Sequence, residues 1–229
     1  MYKKITHSIV EEHFDHPIAG QIKKSMERSR IVTNEVFPED KFRSDVHAYF
    51  VKYQGHLNSL VNAVTSTDEE LLTAFDNFFK TCWVDDLGNM TKPIYVTEFG
   101  ERINEGMRML ATGIFLSIQS LKMGKDSGLQ SGRLQFIANE LAQNLNNFNN
   151  AWQYQTVNTL FINLFTDMIN RAKAKLAKNS STELQLAQKN TESWDTFEKT
   201  LVDGIIAQHP ARFTKPMSMS NSYSSNDIM

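Results

Sequence analysis

Large apolar residues recur at steps of three and four over most of this chain, and no other feature constrains its fold as strongly. The segment 42–64 shows the spacing most clearly, with a stripe formed by Phe42, Val46, Tyr49, Phe50, Tyr53, Leu57, Leu60, Val61 and Val64. Only 10 glycines and 5 prolines interrupt the 229 residues, which favours long helices over many short strands. The sequence therefore predicts an all-α protein, a single irregular bundle of about seven helices.

Signals at helix ends predict where some of these helices begin and how they are arranged. Ser66 and Glu69 fit a capping box, and Thr67 and Glu70 fit the same motif one residue later, so either register starts the next helix. The segment 94–123 is apolar nearly all round in its middle, which is typical of a helix surrounded by others. We therefore expect this helix at the centre of the bundle.

Turn-forming and capping residues predict further boundaries. Residues 85–93 are rich in turn formers, which indicates a loop. After residue 180 the pattern predicts a brief helix over 182–188 and then a further helix capped by Asn190. The C-terminal end is rich in Ser, Met and Asn without any period, so we predict a helical domain over 1–209 and a disordered tail over 210–229.

The segment 139–165 is rich in asparagine, which occurs at positions 139, 144, 146, 147, 149, 150, 158 and 163. The apolar residues here keep helical phase, in the series Leu134, Ala138, Leu141, Leu145, Phe148 and Trp152. Disordered segments do not keep such a phase, so the segment is predicted to be a helix with its asparagines off the packed side. Because Asn is a poor helix former and the phase changes near Gln155, we expect a weak helix with a bend or break within 149–155.

Charge and cysteine content bear on location and partners. The net charge of −2 gives no general attraction to phosphates, so nucleic acid is not an expected partner. A single cysteine, Cys82, cannot form an internal disulfide, which indicates a reducing compartment. The N-terminus lacks the apolar stretch of a signal peptide, and the most apolar window, 109–118, is about half a membrane span. We expect a cytoplasmic protein without membrane insertion.

The N-terminal segment holds the constellation most like a metal site. His7 with Glu11, and Glu12 with His16, are pairs four residues apart, a spacing that directs two ligands toward one ion. Di-iron bundles also use Glu-x-x-His motifs, and the chain contains none. The alternative interpretation is a short amphipathic helix with a polar face rich in His and Glu, and we expect no cofactor.

Other titratable residues lie on predicted helices without completing a catalytic set. His56 falls near the inner stripe of its helix and His47 nearer the edge, where each fits a metal ligand, a proton carrier or a histidine at the margin of the core. Glu98, Glu101 and Glu105 share one helix face and fit a general acid or base if buried. The first two also fit the start of a helix, where the dipole favours acidic residues.

An aromatic pair beside the predicted break is the candidate binding site for a protein partner. Trp152 continues the inner seam, and Tyr154 lies about 200° from it around a helix, so Tyr154 should face outward. Gln153 and Gln155 flank it, and a rigid aromatic ring among adaptable amides is a common form of interface hot spot. The alternative is a lone surface tyrosine without a partner.

In general character the chain resembles small adaptor or accessory subunits of bacterial secretion machinery, such as components of type IV coupling complexes. The features shared are an all-helical, near-neutral sequence, an asparagine-rich helix with the sequence NNFNN over 146–150, and a tail rich in Ser and Met. The resemblance implies a non-enzymatic adaptor with protein partners, and it assigns no role to any particular residue. Two alternatives stay open: a helical-bundle metal or cofactor enzyme, and a regulator that senses a small ligand.

Overall fold

The computed structural model describes residues 36–82, 86–91, 93–95, 97–125 and 128–214. Within these ranges the chain forms seven α-helices and two short strands: β1 (Phe37–Pro38), α1 (Glu39–Asn62), α2 (Asp68–Cys82), α3 (Asp86–Thr91), α4 (Thr97–Lys122), α5 (Gly128–Phe148), α6 (Tyr154–Leu176), α7 (Ser180–Gln208) and β2 (Phe213–Thr214). Single 3₁₀ turns follow α1 and α7, at Ala63–Thr65 and Pro210–Arg212. The predicted all-α bundle is confirmed, and none of the described helices is long and apolar enough to cross a membrane.

Helix α4 lies at the centre of the bundle, as predicted. It packs against α1, α2, α3, α5 and α6, and every residue from 109 to 115 is buried. Gly106 and Gly113 bring α5 close, because a Cβ at either position would lie within 3 Å of the side chain of Leu141 or Leu134. The apolar middle of this helix is therefore enclosed on all sides.

Helix α2 begins with the capping box in its second predicted register. The backbone N–H of Thr67 donates to Glu70 Oε2 at 2.8 Å, and the backbone N–H of Glu70 donates to Thr67 Oγ1 at 3.2 Å. The bond from the Thr67 N–H, and a further one from the Thr67 hydroxyl to the same carboxylate oxygen, lower the pKa of Glu70, because both favour its charged form. The helix then directs Phe75 inward, where its ring stacks on Phe115 of α4 with centroids 4.2 Å apart.

The prediction of a loop throughout residues 85–93 is wrong, because α3 occupies most of it. Asp86, Gly88, Asn89 and Thr91 are weak helix formers. The helix forms because Leu87 is fully buried and Gly88 packs against α4. A Cβ at Gly100 would lie 2.1 Å from the Cα of Gly88, so the two backbones touch. Tertiary contact therefore stabilises a helix that the local sequence does not favour.

Residues 180–208 form one helix, so the predicted division before Asn190 is also wrong. The N-cap is Asn179, whose Oδ1 accepts a hydrogen bond from the backbone N–H of Thr182 at 3.1 Å. Asn190 is buried in the middle of α7 and donates from Nδ2 to the backbone oxygen of Leu164 on α6 at 3.0 Å. An asparagine that indicated a helix start instead bonds to the neighbouring helix.

The ordered fold continues five residues past the predicted boundary at 209. Strand β2 pairs in parallel with β1, with Phe213 opposite Phe37. Phe213 is buried, and its ring lies 5.1 Å from that of Phe42, so an apolar anchor holds this end of the chain. The remainder of the predicted tail and the predicted N-terminal helices lie outside the described residues.

Candidate functional site

Helix α5 ends at Phe148 and α6 begins at Tyr154, which confirms the predicted break within 149–155. We call residues 149–153 the α5–α6 junction. Asn149 secures it, because Nδ2 donates to the backbone oxygen of Gly204 at 2.9 Å while Oδ1 accepts from the backbone N–H of Ala151 at 2.9 Å. Asn149 thus ties the junction to α7 and pairs a backbone N–H of the junction itself.

The sequence predicted that the asparagines of this segment lie off the packed side of the helices. Not all of them do. Asn149 and Asn158 are buried. Asn146 is half-buried and donates from Nδ2 to the backbone oxygen of Trp152 at 3.0 Å. The remaining ones between 139 and 163 are exposed or half-exposed. The prediction holds for the surface of α5 and α6 and is wrong at the buried Asn149 and Asn158. The side chain of Asn149 bonds to the backbone of the adjoining helix α7.

Trp152 lies on the inner seam, as expected from its phase. Its side chain is 2% exposed, and Nε1 donates to the backbone oxygen of Thr200 on α7 at 3.0 Å. Gly204 lies directly beneath the ring, since a Cβ there would be 1.9 Å from Nε1. Trp152 is therefore part of the core, and in this fold it has no surface with which to contact a partner.

The other three predicted partner-binding residues lie at or near the surface. Gln153 and Gln155 are exposed, and Tyr154 is half-buried as the first residue of α6. The Tyr154 hydroxyl donates to Oδ1 of Asn139 on α5 at 3.1 Å. Tyr154 is thus partly exposed while its hydroxyl links the two helices, and its role in binding stays a prediction.

A broader feature of the same region is a surface with few charged side chains, which we call the α5–α6 face. Its exposed and half-exposed side chains are Gln135, Phe136, Asn139 and Gln143 on α5, and Gln155, Thr159, Ile162, Asn163, Thr166 and Asn170 on α6. The 26 residues from 141 to 166 include no Asp, Glu, Lys, Arg or His, in a chain that is 22% charged. This run without charged residues is visible in the sequence, but the recurrence of asparagine alone did not predict it.

A cleft of about 150 Å³ lies in this face, between α5 and α6. Its apolar lining comes from Leu134, Ile162, Phe165 and Ile169. Its remaining lining side chains are uncharged, apart from Lys173. Phe136 follows the cleft residue Gln135 in sequence and is 49% exposed. The face thus combines an apolar recess, a protruding aromatic ring and a surround of amides and hydroxyls.

A larger and more open groove lies between α1 and α2, beside His56. Burial, and then the charge of Lys52, lower the pKa of this histidine, so its neutral form is favoured. The ring lies edge-on to Phe78 with centroids 6.2 Å apart. Glu70, which also lines the groove, is committed to the capping box. His56 and Glu70 therefore have structural roles, one in a ring contact and the other in the helix cap.

The remaining titratable candidates are dispersed. His47 is exposed, with Nδ1 3.1 Å from Glu198 of α7. Glu98 lies 3.5 Å from Arg102 in an i,i+4 ion pair, while Glu101 is exposed. Glu105, half-exposed on α4, completes the predicted acidic face, and these carboxylates do not form a site for acid–base chemistry.

The metal hypothesis depends on residues outside the described part of the chain. His7, Glu11, Glu12 and His16 all precede residue 36, so the prediction stays untested. Among the described residues, no group of three or more His, Cys, Asp or Glu side chains is arranged to hold a metal ion.

A partly buried polar cluster adjoins the junction and ties the C-terminal end of α7 to the turn before α4. The Tyr95 hydroxyl donates to Gln208 Oε1, and burial raises the pKa of Tyr95, which keeps it a neutral donor. His209 lies edge-on to the same ring at 5.0 Å, and its pKa is lowered by burial and by Arg212. Arg212 in turn donates to the backbone oxygen of Pro93 at 2.6 Å. The cluster holds the fold together around the junction.

These features leave the α5–α6 face as the surface best suited to a function. It carries few charges, is partly apolar and is built on two helices that pack on the rest of the bundle. No family model, curated protein or solved structure matches this chain.

Proposed function

We propose that this protein is a non-enzymatic subunit of a larger assembly and that it binds another protein through the α5–α6 face. The observation that carries the proposal is the run without charge from 141 to 166 on a surface that also holds an apolar cleft and an exposed phenylalanine. The centres of protein–protein interfaces are depleted of charged residues and enriched in aromatic ones. A surface exposed only to water has no need of such a composition.

The cleft and its surroundings supply complementary parts of a binding surface. One apolar side chain of the partner fills the recess between Leu134 and Phe165, where its burial supplies affinity. Around it, the Asn, Gln and Thr side chains each offer both a donor and an acceptor, which fix the register of the partner. The half-exposed Tyr154 extends the same surface toward the junction.

The size of the cleft favours a protein over a small metabolite. Sites for small molecules usually enclose about 300–1,000 Å³, and the cleft offers about 150 Å³, which is enough for one side chain. A nucleic-acid partner is disfavoured because the face carries few cations to contact phosphates. A cytoplasmic location and a role in type IV secretion are parts of this proposal that rest on composition and on general resemblance.

Site-specific photocrosslinking in the native host tests the proposal. A photoreactive residue at Thr159 or Asn163 on the face is expected to give discrete protein adducts. The same residue at Val51 on α1 or Thr196 on α7, both exposed, serves as the matched control. Adducts from the control positions alone, or from no position, would overturn the proposal.

Tyr154→Ala tests whether the predicted binding residues belong to this surface. The change should weaken capture of the crosslinked partner by about 1–3 kcal/mol, because an aromatic contact is lost. The melting temperature should change little. Tyr154→Phe is the control, since it keeps the ring and removes only the bond to Asn139. Wild-type capture by the alanine variant would place the binding surface away from Tyr154.

A further inference from the structure

Residues 209–214, which we call the C-terminal strap, leave the end of α7 and lie across the start of α1. The strap makes one 3₁₀ turn and ends in β2, which pairs with β1 over only two residues. The buried ring of Phe213 anchors it at 5.1 Å from the ring of Phe42. Arg212 adds a hydrogen bond to the backbone oxygen of Pro93 at 2.6 Å. An apolar anchor and a short sheet thus close the strap on the bundle.

His209 occupies the hinge of the strap. The backbone leaves helical geometry at this residue, with φ −127° and ψ 51°, and its carbonyl oxygen accepts from the backbone N–H of Arg212 at 2.9 Å. The imidazole is half-buried and lies edge-on to Tyr95, with ring centroids 5.0 Å apart. The ring therefore packs between the body of the bundle and the turn that begins the strap.

The surroundings of this imidazole suit its neutral form. Nε2 is buried and has no hydrogen-bond partner among the described residues, which a neutral ring tolerates when that nitrogen carries no hydrogen. A protonated ring carries a hydrogen on both nitrogens, and a buried N–H without an acceptor costs free energy. Burial, and then the charge of Arg212 on the strap, lower the pKa of His209.

The charged and titratable groups around His209 do not offset a positive charge on it. The ring meets Tyr95 from the turn before α4, and this phenol stays neutral because burial raises its pKa. It meets the guanidinium of Arg212 from the strap. The last acidic residue of α7 is Asp203, which already pairs with Arg43 of α1 at 2.7 Å. Within the described part of the chain, no acid contributes to the shift at His209.

We propose that the C-terminal strap is an acid-sensitive latch, in which protonation of His209 drives the imidazole out of its site and releases Phe213 and β2 from the bundle. The inference does not depend on the α5–α6 face or on its partner. In the open strap the histidine returns to its ordinary pKa of 6.5, which is above the value in the closed strap, so the open state binds more protons. The closed strap is therefore fully favoured above about pH 6.5 and loses stability as the pH falls below that value.

Fluorine NMR of the purified full chain tests the latch, with 4-fluorophenylalanine placed at position 213 alone. Near neutral pH we expect the resonance of a buried ring. As the pH falls below about 6.5, the ratio of open to closed strap should rise by up to about tenfold per pH unit, and the resonance of a solvated ring should replace the first. Circular dichroism should show that the helices remain. An unchanged fluorine spectrum, or a release that coincides with general loss of helix, would overturn the inference.

Two variants assign the effect to the histidine. His209→Gln keeps a neutral polar side chain and His209→Phe keeps a ring against Tyr95, so at least one is expected to fold with the strap closed. Either should remove the pH dependence of the fluorine spectrum. His56→Gln is the matched control, because burial also lowers the pKa of His56, which lies between α1 and α2, and it should release the strap as wild type does. Release at the wild-type pH in the His209 variants would show that another group drives it and would refute the latch.

Discussion

Helix α4 and the α5–α6 junction touch each other in the fold, but different interactions hold them in place. Phe99 of α4 stacks on Trp152 of the junction, with ring centroids 5.9 Å apart. Helix α4 is stabilised by apolar packing on all sides, with residues 109–115 all buried. The junction is stabilised by amide side chains, chiefly Asn149, which donates to the backbone oxygen of Gly204 on α7 and accepts from the backbone N–H of Ala151 within the junction.

The contrast teaches how differently the two kinds of interaction constrain a sequence. Apolar packing is non-directional and scales with the area removed from water, so many apolar residues suit one position of α4. A hydrogen bond at the junction needs a donor or acceptor within about 3 Å and in line, so few residues can replace Asn149. The apolar helix should therefore lose most stability when volume is removed, and the junction when a particular polar or small residue is changed.

The largest effect is expected from removing an aromatic ring that packs on α4. Phe75→Ala should lower the free energy of unfolding by about 3–5 kcal/mol, because it deletes a buried ring stacked on Phe115 and leaves a cavity. Urea denaturation monitored by circular dichroism measures the loss. Leu184→Ala, at a 72% exposed position on α7, should change stability by less than about 0.5 kcal/mol. Equal losses in the two variants would contradict the assigned packing.

A smaller effect is expected where the junction meets α7. Gly204→Ala places a Cβ 1.9 Å from Nε1 of Trp152, and the forced shift should cost about 2–3 kcal/mol. Gly55→Ala is the control, because it makes the same Gly-to-Ala change in the interior of α1, where nothing lies within 4 Å of the added Cβ. That variant should gain about 0.5–1 kcal/mol from helix propensity. The two changes are thus predicted to have opposite signs in the same denaturation experiment.

The hydrogen bonds of the junction should contribute less than its packing. Asn149→Ala removes bonds to Gly204 and Ala151 and should destabilise the fold by about 1–2 kcal/mol, since polar groups are left without partners. Asn150→Ala changes an exposed neighbour of the same type and should be nearly neutral. If both variants melt at the wild-type temperature, the junction does not depend on asparagine in the way described.

The smallest difference concerns local opening without any mutation. Amide hydrogens of residues 139–152 should exchange faster than those of residues 99–121, because Asn-rich sequence has low helix propensity and a helix end lies within the first segment. Hydrogen exchange followed by mass spectrometry, with peptides from the two segments compared in one sample, provides the measurement. Equal protection would show that tertiary bonds at the junction fully offset its weak local sequence.

Much of the architecture was predictable, because helix phase depends on apolar spacing alone. The stripe from Phe42 to Leu60 is buried as its spacing predicted. The seam from Leu134 to Trp152 is buried too, apart from Phe148, which is half-buried against the core. The errors share one cause, since α3, the single helix over 180–208 and the anchoring of Phe213 all depend on contacts with residues distant in the chain. Local propensity contains no information about such contacts.

The candidate site, too, could be predicted from the sequence only in part. The sequence by itself determined that α5 and α6 would be amphipathic helices with a break between them, and it contains the run without charge from 141 to 166. Only the tertiary structure decided that Trp152 is enclosed by α7, that Asn149 bonds to Gly204, and that a cleft remains between α5 and α6 beside an exposed Phe136. The physical reason is that periodicity fixes which side of a helix is apolar, whereas clefts and directional bonds depend on how two helices approach each other in space.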